Sequence, residues 1–185
     1  DLAGALSAYE ESLAIRRRLA AADESSAEAQ RDLSIGLNRI GDVRVAQGDL
    51  AGALSAYEES LAIRRRLAAA DESSAEAQRD LSIGLNRIGD VRVAQGDLAG
   101  ALSAYEESLA IRRRLAAADE SSAEAQRDLA VSLWSLASVP NHPVDWRDVA
   151  DQYERMDRRN QLLPSDRRFL QEAQRRAARE EADGE

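Results

Sequence analysis

From Leu98 to Leu115 the apolar residues Leu98, Ala101, Leu102, Tyr105, Leu109 and Leu115 fall at spacings of three, four, six and seven. That is one stripe along a helix. The pattern predicts a helix, here termed helix B, from Asp97 to about Ala118, with Asp97 as a cap whose carboxylate suits the positive first turn. The preceding stretch predicts a second helix, helix A. It opens at Ser73-Ser74-Ala75-Glu76, read as a capping box from Ser73 to Glu76, and closes near Gln95. Gly96 stops it, because glycine enters the left-handed region without a Cβ clash. Two such helices joined by a Gly-Asp turn form an αα-hairpin.

The pattern repeats. Residues 1–48 recur unchanged as 49–96, and the copy that begins at Asp97 matches until Ala130. Identity extends to solvent-facing positions, so the copies come from recent duplication or from engineering; the idiosyncratic tail favours a natural parent. Tyr9, Tyr57 and Tyr105 project onto Tyr153, and Leu98 onto Trp146, so the tail reads as a degenerate fourth unit in register. A period of this length signals stacked helical hairpins, each burying its stripe against the hairpins beside it.

The stretch Leu85-Asn86-Arg87-Ile88-Gly89-Asp90-Val91, followed by Gly96-Asp97-Leu98, Ala101, Tyr105 and Ser108, resembles a tetratricopeptide repeat. Leu85, Ile88, Gly89, Gly96, Ala101 and Tyr105 stand at matching spacings; Ser108 replaces a small alanine, Arg92 stands where Tyr or Leu is usual, and the terminal proline is missing. The usual unit has about 34 residues. The 14 additional residues here, divided evenly, lengthen each helix by about two turns, as in the kinesin-light-chain-like bacterial arrays. The resemblance implies an all-α αα-hairpin tandem-repeat solenoid, wound as a right-handed superhelix, that binds a peptide or protein on a concave face lined by helix A. The expected division is repeats over 1–139 (units 1–48, 49–96 and 97–144, each starting at helix B), a degenerate fourth helix B over 140–163, and a C-terminal capping helix with a frayed tail over 164–185.

The array ends differ. The chain opens on a helix B with no helix A before it, which predicts an apolar N-terminal edge able to self-associate. Asp1 is not preceded by Met, as expected of a piece of a longer protein. At the other end Val139-Pro140-Asn141-His142-Pro143 cuts the third helix A short. A fourth helix B is expected from Asp145 to about Gln161, then a last helix with Ser165 as its N-cap ending near Arg179.

Composition narrows the chemistry. A net charge of −9, from 34 acidic and 25 basic residues, argues against nucleic acid and against an anionic membrane surface as partners. The absence of Cys excludes disulfides, thiolate catalysis and cysteine metal sites. No apolar run approaches a membrane span, and the cytoplasm is the expected location. No cofactor, metal or catalytic residue is expected. His142 is the only histidine and stands in a loop; alone it makes neither a zinc site nor a triad. The adjacent pairs Glu10-Glu11, Glu58-Glu59 and Glu106-Glu107 point about 100° apart on a helix and read as solvated. The triplets at Arg16–Arg18, Arg64–Arg66 and Arg112–Arg114 suit the negative end of helix B and offer, at most, a docking patch for an acidic partner. Trp134 and Trp146 read as packing at the C-terminal cap.

The candidate partner-binding residues lie on helix A: Asn38, Arg39 and Asp42 in one copy, Asn86, Arg87 and Asp90 in the next. The resemblance places such positions in the groove, and side-chain amides both donate to and accept from a peptide backbone. Two functions follow: a non-catalytic scaffold for a peptide or protein partner, or a self-associating spacer that stacks end to end through its N-terminal edge. Any enzymatic activity would belong to other parts of a parent chain.

Overall fold

The computed structural model describes residues 2–140, 142 and 144–183. Every regular element among them is helical. Residues 1–104 form one compact unit and residues 105–185 a second.

The first unit holds α1 (Leu2–Ala22), α2 (Ala27–Gln47), α3 (Leu50–Ala70), α4 (Ala75–Gln95) and the start of α5 (Leu98–Ala118). Each of these helices has 21 residues. Helices α1, α3 and α5 are the helix B copies; α2 and α4 are helix A. Packing follows chain order, α1 on α2, α2 on α3 and α3 on α4.

The turns obey local chemistry. Gly48 and Gly96 close α2 and α4 with φ of 81° and 82°, and their N–H groups reach back to the last turn. Asp49 and Asp97 then cap α3 and α5, accepting from the Gly52 and Gly100 amides at 2.9 Å. At the opposite turn the capping residue is one position later than the sequence suggests. Ser74, not Ser73, accepts from the Ala77 amide. Ser73 instead donates its hydroxyl to Asp71 at 2.6 Å. Asp71 also accepts the Ser73 and Ser74 amides, so its turn outcompetes the capping box. These bonds, the Ser73 hydroxyl first, hold the Asp71 carboxyl below its ordinary pKa; Asp23 and Asp119 are held low by Ser25 and Ser121 in the same way.

Small residues let the helices approach. The Tyr57 ring of α3 lies against Gly41 of α2, while Gly36, on another side of α2, faces Leu13 and Arg16 of α1. One core joins Leu13, Leu33, Leu37, Ile40 and Ile63; the next joins Ala53, Tyr57, Ile88, Val91 and Ala104. Within α1 only Leu13 and Ala20 are buried, and Leu2, Tyr9, Ile15 and Leu19 are exposed.

Buried and half-buried polar side chains tie each helix B to the helix A that follows. Arg16, Arg64 and Arg112 donate to the Asp32, Asp80 and Asp128 carbonyls at 2.7–2.8 Å. Gln30, Gln78 and Gln126 donate to the Ala20, Ala68 and Ala116 carbonyls, which are orphaned in the last turn of helix B. Arg64 and Arg112 are buried, so the first arginine of each of these triplets is a joint between helices and not part of a solvated patch. Burial lowers the Arg64 pKa.

The second unit comprises the rest of α5, α6 (Ala123–Ala137), α7 (Trp146–Arg158), a 3-10 turn at Pro164–Asp166 and α8 (Arg167–Asp183). Helix α6 stops six residues short of α2 and α4, at the Val139-Pro140 stretch; Asn141 and Pro143 lie outside the described residues. His142 is half-buried and its Nδ1 accepts from the Val144 amide. Two expected bounds shift. Helix α7 ends at Arg158, just before Asn160 with its φ of 57°. The last helix begins at Arg167 rather than after a Ser165 cap, because the turn at Pro164–Asp166 winds as 3-10, and it continues past Arg179. Trp134 meets Trp146 edge-on at 4.9 Å and Phe169 at 5.5 Å, and Arg176 lies 4.4 Å from the Trp146 ring centre. The two tryptophans are packing residues at this end. Tyr153 is buried among them, and burial first, then the Asp166 charge, pushes its hydroxyl up to about 12.

Candidate functional site

The helix A copies α2 and α4 flank a cleft of about 270 Å³ lined by Asp42, Val45, Leu50, Tyr57, Arg87, Asp90, Val91 and Ala94. Helix periodicity places Asp42 and Val45 on one side of α2, and Arg87, Asp90, Val91 and Ala94 on the facing side of α4. Tyr57 of α3 forms the floor because Gly41 leaves room for its ring.

A polar cluster closes one end. The Tyr57 hydroxyl donates to Asp42 Oδ1 at 2.7 Å, and Arg87 pairs with the same carboxylate. The Arg87 guanidinium lies 5.7 Å from the Tyr57 ring centre. Burial, then the hydrogen bond and charge of Asp42, push the Tyr57 hydroxyl far above its ordinary value; Arg87 opposes the shift in part. Asp42 and Arg87 remain half-buried, each within reach of solvent.

Of the six candidates, three line this cleft: Asp42, Arg87 and Asp90. Arg39 is exposed on α2. Asn38 and Asn86 are buried, at 6% and 7% exposure, and Asn38 Oδ1 has no hydrogen-bond partner. Both asparagines thus sit inside the helix packing, one turn from the cleft. The sequence reading missed Tyr57, Val45 and Leu50 as cleft residues. The signal was present: Tyr57 recurs every unit and sits across from a glycine, where a ring meets a helix backbone.

Two segments, residues 37–71 and 85–119, match the family model of the tetratricopeptide repeat. These two segments are tetratricopeptide repeats. Each matched repeat takes the second half of helix A and all of helix B, so residues 27–36 of α2 lie outside the match. No curated protein sequence matches the chain. Among solved structures it is similar to the crystal structure of BtubC (BKLC) from P. vanneervenii, with a TM-score of 0.56 and 20% identity over 85% of this chain. The match spans 58% of that protein. At this identity the likeness establishes the repeat fold alone. Tetratricopeptide repeats generally mediate protein–protein interaction. Among the described residues no helix is long and apolar enough to cross a membrane.

Proposed function

We propose that the chain is a non-catalytic interaction module of a bacterial cytoplasmic protein, and that it takes an extended peptide segment of a protein partner on its helix A face. The observation that carries this is the α2–α4 cleft. Its walls are aliphatic at Val45, Leu50, Val91 and Ala94, and Asp42, Arg87 and Asp90 supply charged groups around them. Such a mixture suits a side chain with an apolar stem and a polar head, set beside a peptide backbone that needs donors and acceptors. Panning an unstructured peptide library on the chain tests it. Enriched peptides should bind at least tenfold more weakly to Val45→Glu and to Asp90→Arg variants, and equally well to Arg113→Glu on exposed helix B surface. Peptides that ignore both cleft substitutions refute the assignment of the face.

A second reading is a spacer that stacks end to end. It is favoured by the exposed apolar side of α1. Sedimentation over a hundredfold range of concentration tests it, since stacking requires a mass that rises with concentration.

A further inference from the structure

The α2–α4 cleft is one end of a longer groove. A second pocket, of about 520 Å³, opens where α2 and α4 begin and α3 ends. Glu28 and Arg31 of α2 stand on one side, Glu76 and Asp80 of α4 on the other, and Arg64 and Leu67 of α3 form the floor. Arg31 and Asp42 on α2, Tyr57 and Arg64 on α3, and Asp80 and Arg87 on α4 are eleven or seven positions apart. Those spacings return to the same side of a helix, so the two pockets share their walls and floor. Ion pairs join the walls toward either end, Arg31 to Asp80 and Arg87 to Asp42. All three helices belong to one compact unit, and the groove lies within the array and not at its edge.

Charge decides what the second pocket can hold. Four carboxylates line it, Glu28, Asp71, Glu76 and Asp80, against two guanidinium groups, Arg31 and Arg64. Both arginines are engaged. Arg31 holds Glu76 at 2.9 Å and Asp80 at 2.7 Å. Arg64 is buried and donates to the Ser34 hydroxyl at 3.3 Å and the Asp80 carbonyl at 2.7 Å. Glu28 and Asp71 are exposed at the rim, and the Ser73 hydroxyl holds Asp71 in its charged form. Glu28 and Glu76 offset the positive first turns of their own helices, so those turns leave little attraction for an anion. The first cleft has the same imbalance, Asp42 and Asp90 against Arg87.

We propose that this pocket is a second subsite of the groove and takes a cationic side chain, lysine or arginine, with its stem on Leu67 and Ala77 and its head among the four carboxylates. The inference rests on the reading that the helix A face takes an extended peptide, and it adds a charge and a spacing to it. On each of the three helices the residues lining the two pockets are centred roughly 14 positions apart, or about 20 Å along the helix. An extended chain covers that distance in about six residues. The peptide therefore carries its basic residue about six positions from the side chain that fills the Val45–Val91 cleft.

The test is to pan a library of random, unstructured peptides, about twelve residues long, on the full chain and in parallel on its Glu28→Lys variant. Glu28 is an exposed first-turn residue, and circular dichroism checks that the variant is folded. Peptides selected by the parent chain should be enriched about threefold or more in Lys and Arg at one spacing, about five to seven residues from an apolar position. The variant should not enrich them. Synthetic copies of the selected peptides, followed by fluorescence anisotropy, should bind at least tenfold more weakly to Glu28→Lys, and a peptide with Glu at the basic position should lose at least tenfold on the parent and recover on the variant. Glu106→Lys, the same charge change on exposed helix B surface, should bind as the parent does. Selected peptides that depend on Val45 and Asp90 but carry no basic residue at that spacing overturn the subsite and leave the helix A reading standing. Enrichment of acidic residues there, or equal losses in Glu28→Lys and Glu106→Lys, also overturns it. A chain that selects no peptide at all overturns both readings.

Discussion

Two glycines of α2, five residues apart, should respond in opposite ways to the same substitution. In an exposed helix interior Gly→Ala stabilises by about 1 kcal/mol through backbone entropy, and that gain is common to Gly36→Ala and Gly41→Ala. The difference lies in what the new methyl meets. At Gly36 it falls 3.0 Å from Arg16 Cδ and 3.2 Å from Leu13 Cδ1. Leu13 Cδ1 is the end of a side chain on α1, and the flexible Arg16 stem is partly in solvent, so a shift of a few tenths of an ångström relieves the contact. Gly36→Ala should be neutral or stabilising by up to about 1 kcal/mol. At Gly41 the methyl falls 2.6 Å from Cδ1 and 2.7 Å from Cζ of Tyr57, where 3.4 Å is ordinary contact. That ring is a buried, rigid group pinned at its hydroxyl by Asp42. It cannot yield without opening the α2–α3 joint. Overpacking of this kind costs about 1–3 kcal/mol, and a weakened hydroxyl bond to the half-buried carboxylate adds about 1 kcal/mol. After the helix gain is subtracted, Gly41→Ala is destabilising by about 1–3 kcal/mol. The two variants should differ by about 1–4 kcal/mol, or roughly 2–16 °C in Tm for a chain of this size. Urea and thermal unfolding followed by circular dichroism read the difference directly. Equal stability of the two alanine variants would refute the claim that ring-to-backbone approach at Gly41 sets the hairpin geometry.

Three further predictions each carry their own control. Tyr57→Phe should lose about 0.5–1.5 kcal/mol in urea unfolding through its bond to Asp42, while Tyr9→Phe at the same position of the exposed copy should change stability by less than about 0.5 kcal/mol. Arg64→Ala removes a buried stem and leaves the Asp80 carbonyl without its donor, so a loss of about 2–3 kcal/mol is expected; Arg66→Ala, exposed in the same triplet, should stay within about 0.5 kcal/mol of the parent. At alkaline pH the raised hydroxyls of Tyr57 and Tyr153 make their contribution fully present below the ordinary tyrosine value of about 10 and lost as pH rises through their folded values, about 12 for Tyr153. Urea midpoints should therefore fall with rising pH above about 10, and less so in a Tyr57→Phe, Tyr153→Phe double variant; midpoints that fall equally in both proteins would discount the two hydroxyls as the cause.

Helix identity, helix length and the Gly-Asp turns were legible in the sequence because they depend on contacts a few residues apart: a stripe at helical spacing, a glycine at a left-handed position, an aspartate over the next first turn. The cap at Ser74 rather than Ser73 was not, since two local bonding schemes compete and the Asp71 turn wins by accepting three donors. Burial of Asn38, Asn86 and Arg64 was decided by neighbours one hairpin away. For Arg64 a hint existed, because Tyr57, Ser60 and Arg64 share one stripe. The Asp42–Tyr57–Arg87 cluster likewise draws on three different helices, and spacing along a single helix does not bring them together.

The identical helices α1 and α3 set the boundary between the two kinds of information. One string of residues makes the same helix twice, since backbone hydrogen bonds and caps are closed within the segment. Whether its Tyr and Ile are core or surface is then settled by the helix laid against it, because desolvation is a property of the neighbour and not of the string.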